Sequence, residues 1–140
     1  MIFIATTTIN KTTETLRRFD KSNKCKLIIA LDKKSKKLNN LENSIVLSTE
    51  YQQKKWPKLS KLIGWNCIQR RNFAILEAIE RGASQIALID DDNIPSSNWF
   101  NINSTKKNLL ATEYTLNKKI FDPIGVTNHK ELWHRGFPLE

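Results

Sequence analysis

Four short apolar runs divide the chain: Ile2 to Thr8 (IFIATTT), Lys26 to Asp32 (KLIIALD), Ser44 to Ser48 (SIVLS) and the QIALI stretch at 85–89. They are rich in β-branched residues and lack the alternation of a half-exposed strand, so they read as buried strands. Between them the pattern changes. TTETLRRF offers threonine caps and an early glutamate, followed by Leu16 and Phe19 at helical spacing. DKKSKKLNNLEN is polar and loop-like, and TEYQQKKWPKLSKLIG is a mixed connection in which Pro57 breaks any long helix. WNCIQRRNFAILEAIERGA carries the clearest helical signal. Trp65, Ile68, Asn72, Ile75 and Ile79 share one stripe, and Gly82 is placed to end the helix. The spacing predicts a helix near 66–81 with Ile68, Ile75 and Ile79 buried against the sheet. Strands alternating with helices predict a parallel α/β sheet with strands near 2–7, 26–31, 45–47 and 86–90 and their carboxyl ends on one edge. After Trp99 the pattern weakens to one short helix or strand and a tail of turn formers and aromatics.

The 140 residues suit a single domain, 1–140, large enough to bury a core. A formal charge of +9 fits either an anion-attracting surface or a solvated Lys/Asn-rich one. The lysines are scattered in pairs, with no basic stripe interleaved with aromatics, which favours the second reading and makes nucleic acid an unlikely partner. Cys25 and Cys67 lack metal-ligand spacing and lie in apolar surroundings, as buried free thiols of a reducing compartment do. The opening Met1-Ile-Phe-Ile-Ala has no basic region, and no apolar run reaches membrane length, so a cytoplasmic protein without a membrane span is expected. The sequon at Asn103 carries no weight in that setting.

Charge matters most in ALIDDDNIPSSNW, where Asp90, Asp91 and Asp92 follow the last strand. Like charges in a row repel, and a turn or helix cap accounts for one of them but not three. Ligands of open parallel sheets bind outside the carboxyl ends of the strands. Asp32 closes the second strand and the triplet closes the fourth. In an extended segment Asp90 and Asp92 converge while Asp91 points elsewhere. Two such oxygen donors suit Mg²⁺ or Mn²⁺, with water and phosphate oxygens completing the shell. Asn72 is polar on an apolar stripe, so its amide requires a hydrogen bond, either structural or to a ligand. Arg70 and Arg71 precede it. Arg70 reads as a solvated residue, whereas a guanidinium near the strand ends can hold a diphosphate.

These pieces resemble a known family. RRNFAILEAIERGASQIALIDDDNIP is similar to the nucleotide-binding half of GT-A glycosyltransferases, in which an Arg/Asn-bearing helix precedes a strand ending in a DXD motif. The order of ATTTINKTTETLRRF, LIIALDKKSKK, IVLSTEYQQ, RRNFAILEAIERGA, IDDDNIP and LWHRGFPLE resembles the STELLO family of probable glycosyltransferases across most of the chain. The reversibly glycosylated polypeptides, or UDP-arabinopyranose mutases, are a more distant likeness that shares a DDD triplet. The resemblance implies a GT-A-like, Rossmann-like parallel sheet flanked by helices. It implies a nucleotide-sugar donor, with a UDP-sugar favoured, a Mn²⁺ or Mg²⁺ cofactor and an unknown acceptor. It places Asp90 and Asp92 on the metal, Asp90 and Asp91 with Asn72 at the nucleotide-sugar, Asp32 at the nucleoside, Thr6 and Thr7 in the same pocket, and Arg71 near the diphosphate.

Complete GT-A domains continue well past the DXD strand, whereas this sequence ends just after RGFPL. The expectation is a fragment, a minimal enzyme that forms a homo-oligomer, or a relic that only binds. No residue stands out as a general base; His129 and His134 are the only histidines. The competing readings are a non-catalytic nucleotide-sugar-binding module and, from another class, a basic nucleic-acid-binding or metal-dependent phosphoryl-transfer domain.

Overall fold

The four apolar runs pair into one sheet. In a computed structural model, β1 (Ile2–Thr8), β2 (Cys25–Leu31), β3 (Ile45–Leu47) and β4 (Gln85–Leu88) lie in the order β3-β2-β1-β4, and every pair is parallel. The structure describes residues 1–101 and, in addition, Glu113, Thr115 and Asn128; residues 1–101 belong to one compact unit, Met1–Ser104. Asn103, His129, His134 and the RGFPL stretch lie outside the described residues.

Register fixes which side chains share a face. Ala5 pairs with Ile28, and with Phe3, Ala30 and Leu47 they meet Phe73, Ala74 and Ala78 on one side. Ile4 pairs with Leu27 and Ala87, and on the opposite side Ile4 and Leu27 pack with Ile29, Leu16 and Phe19. Burying each such Ile, Leu or Phe contributes about 1.5–3 kcal/mol. The inner strands β1 and β2 are therefore covered on both faces, which accounts for their apolar runs. The edge strands β3 and β4, expected to be buried, are only partly so, with Val46 and Leu88 exposed.

The first face is covered by α4 (Arg71–Glu80) and α3 (Pro57–Ile63), with Trp56 following α2 (Thr49–Lys55), and the second by α1 (Glu14–Asp20). Thr13 caps α1, its Oγ1 accepting from the Leu16 N–H, and Ser48 caps α2 in the same way through Tyr51. Pro57 opens α3 at a position where its missing N–H costs nothing. Gly82, with φ of 75°, follows α4 in the left-handed region that glycine favours. The polar loop before β3 is tied to the end of α1 by Asp20, which accepts from the Glu42 and Asn43 N–H groups and from Ser44 Oγ.

The helix expected near 66–81 is shorter, and its buried face is different. A 3₁₀ turn spans Ile68–Arg70 and α4 begins at Arg71. Ile68 and Ile79 are exposed, Ile75 is half-buried and Asn72 is exposed. The buried face is Phe73, Ala74, Glu77 and Ala78. Small alanines let the helix approach the sheet closely, and Glu77 is buried because Tyr51 Oη, Lys55 Nζ and Arg81 Nε all donate to it. Arg70, expected in solvent, is fully buried. It donates to Gln52 Oε1 and Ser60 Oγ and lies between the rings of Trp65 and Phe73. No helix among the described residues is long and apolar enough to cross a membrane.

Candidate functional site at the carboxyl edge of the sheet

The chain runs from β1 to β2 on one side and returns from β3 to β4 on the other, so the strand order reverses between β1 and β4. In parallel sheets a crevice opens at such a reversal, beyond the carboxyl ends of the strands. Here that crevice is a cavity of about 670 Å³. Thr7 to Asn10 line it from the end of β1 and Asp32 and Lys34 from the end of β2. Asn66 to Ile68 and Arg71 contribute from the approach to α4, and Asp90 to Asp92 from the turn after β4.

Charge distinguishes this cavity from the rest of the molecule. In a chain of net charge +9, its wall gathers Asp32, Asp90, Asp91 and Asp92 against only Lys34 and Arg71. The four carboxylates are not equivalent. Asp91 is half-buried, and its Oδ2 accepts from Thr8 Oγ1 and from Asn10 Nδ2. Its carbonyl accepts from Thr13 Oγ1, so Asp91 pins the turn to the β1–α1 loop. Asp90 is exposed, and its Oδ1 accepts from Arg71 Nη1 at 3.0 Å. Asp92 is exposed and, among the described residues, its carboxylate has no hydrogen-bond partner. β4 ends at Leu88 and the triplet lies in a turn, so the separation of Asp91 from its neighbours arises from its hydroxyl and amide partners, not from strand alternation.

The other residues singled out by sequence divide clearly. Thr7 lines the cavity and donates through Oγ1 to the Ala30 carbonyl. Thr6 is fully buried outside the lining, where its Oγ1 donates to the Ile89 carbonyl at 2.9 Å. Asp32 is in the wall but only 5% exposed. Its Oδ1 accepts from the Lys33 N–H and its Oδ2 from the Cys67 N–H. Arg71 is in the wall, whereas Asn72 faces solvent outside it and needs no structural partner. Cys25 is buried, and burial pushes its thiol pKa up. Cys67 is only half-buried and lines the cavity, contrary to the expectation of two buried thiols.

Sequence reasoning missed Thr8, Asn10, Lys34 and Asn66. The signal for Thr8 was present in the hydroxyl run that closes β1. Asn10 and Asn66 carry no local mark, because their place is set by loops that meet only in the fold.

Exposed carboxylate oxygens on Asp90 and Asp92 are hard donors of the kind Mg²⁺ and Mn²⁺ take, and these ions commonly bind through one or two carboxylates plus phosphate oxygens. The donor chemistry fits such an ion when a phosphate ligand supplies the rest. Among the described residues, no group of three or more His, Cys, Asp and Glu side chains is gathered to hold a metal alone. No protein-family model matches the chain, and no curated protein matches it.

Proposed function

We propose that the protein binds a nucleotide-sugar, with a UDP-sugar favoured, at the carboxyl edge of its sheet and acts as a GT-A-like, STELLO-type glycosyltransferase toward an unknown acceptor. The observation that carries this reading is the acidic cavity at the strand-order reversal of an otherwise basic protein. Asp90 and Asp92 would hold Mn²⁺ or Mg²⁺, and the ion would offset charge developing on a diphosphate leaving group. Arg71 supplies a guanidinium to diphosphate oxygens, and Lys34 adds a second cation in the same wall. Asp91 holds the turn in place through Thr8 and Asn10.

A thermal-shift screen of nucleotides and nucleotide-sugars, with and without Mn²⁺, tests the reading. A specific ligand at one hundred times its Kd stabilises by about 2.7 kcal/mol. The expected result is stabilisation by UDP or a UDP-sugar only when Mn²⁺ is present. Donor hydrolysis by the same sample then separates an enzyme from a module that only binds. Stabilisation by nucleic acid with a steep salt dependence, and none by nucleotides, would overturn the reading.

A further inference from the structure

We infer that Asp32 and Arg70 are positioning residues that clamp the segment Gly64–Cys67, whose Asn66 and Cys67 line the cavity, Asp32 acting through the Cys67 amide and not by touching the ligand. This segment joins the end of α3 to the 3₁₀ turn and has no helix or strand of its own. It contains two residues of positive φ, Gly64 at 72° and Asn66 at 60°. Asn is, with glycine, among the residues that enter the left-handed region most readily, so the two positions give the segment a sharp local path without strain.

Two buried charges hold the neighbours of Asn66 in place. From the end of β2, Asp32 Oδ2 accepts from the Cys67 N–H at 3.0 Å. From the far side, the Arg70 guanidinium carbon lies 3.4 Å from the centre of the Trp65 ring. Arg70 is anchored by Ser60 and by Gln52, and the Gln52 amide donates in turn to the carbonyls of Leu31 and Leu47 at the ends of β2 and β3. The segment is therefore tied to the sheet edge by two independent routes. The charges also act on each other. Burial draws the Arg70 pKa down, and the negative charge of Asp32 opposes that shift. Each Asp32 oxygen already accepts a backbone N–H and the residue is only 5% exposed, so little of the carboxylate is open to a ligand.

Hydrogen exchange on the wild-type protein tests the clamp without any variant. The Cys67 amide should exchange at least about a hundredfold more slowly than in an unstructured chain. Exchange at the unstructured rate would overturn the inference. In Asp32→Ala, alkylation of Cys67 by iodoacetamide should rise about tenfold, as expected on losing a hydrogen bond to a charged group, while Cys25 stays unreactive. Unchanged Cys67 reactivity in a folded variant would also overturn it. A further arm rests on the nucleotide reading above: Asp32→Ala should weaken Mn²⁺-dependent binding of UDP and of CDP by the same factor. A changed preference between the two bases would show direct contact and contradict the inference. Absence of nucleotide binding by the wild type would contradict the nucleotide reading alone, and the exchange and alkylation results would still decide the clamp.

Discussion

Arg71 Nη1 donates to Asp90 Oδ1 at 3.0 Å, joining the first residue of α4 to the turn after β4. The side chains are 26% and 63% exposed. A pair so accessible to water adds about 0–1 kcal/mol to stability. Its importance lies in position: a cation and an anion from different elements meet in the wall of the acidic cavity.

Asp90→Asn should accordingly leave thermal stability within about 0.5 kcal/mol of wild type. In the proposed site it should weaken Mn²⁺-dependent UDP binding at least about tenfold, the effect of one lost charge-assisted interaction. Urea unfolding and calorimetric titration of the same preparation check both halves. Unfolding of the variant, or undiminished binding, would count against the assignment of Asp90.

Asp91 and Asp92 should differ in the opposite sense. Asp91→Ala removes the acceptor of Thr8 Oγ1 and Asn10 Nδ2 and should cost about 1–3 kcal/mol. Asp92→Ala touches no such network among the described residues, and it relieves repulsion with its neighbours, so its stability should match or exceed wild type. Equal denaturation midpoints for the two variants would show that the Asp91 contacts contribute nothing.

The inner strands were legible because burial on both faces demands continuous apolar runs, and IFIA and LIIA satisfy that demand. α1 was legible from Thr13, Leu16 and Phe19. The face of α4 was not. Its phase is set by Ala74 and Ala78, whose value is close approach to the sheet, while the larger Ile68 and Ile79 stand outside. Arg70 looked like a surface residue because its partners, Gln52 and Ser60, come from α2 and α3. The gathering of Asp32 with the aspartate triplet followed from parallel pairing alone. Which oxygens remain open did not, since Thr8 and Asp91 are 83 positions apart.

Glu77 should give the fold a distinct acid sensitivity. Burial works against its ionised form, but Lys55, Arg81 and Tyr51 outweigh burial and hold the carboxyl below its ordinary value. A depressed folded-state pKa means the contribution is fully present above the unfolded value, about 4.3, and is lost as pH falls through the folded one. Glu77→Gln should be less stable by about 1–3 kcal/mol at pH 7. The variant's deficit should shrink below pH about 4 as the wild type loses the same interaction. Denaturation midpoints measured from pH 7 to pH 3 check this, and a deficit that stays constant with pH would contradict it.

The most direct test of the nucleotide reading is calorimetric titration of UDP into the wild-type protein and into Asp92→Ala, each with and without Mn²⁺. The account predicts saturable binding by the wild type only with Mn²⁺, and loss of that binding in an Asp92→Ala protein that unfolds at the wild-type denaturant midpoint. Binding of UDP that ignores both Mn²⁺ and Asp92, or no binding by the wild type under any condition, would contradict it.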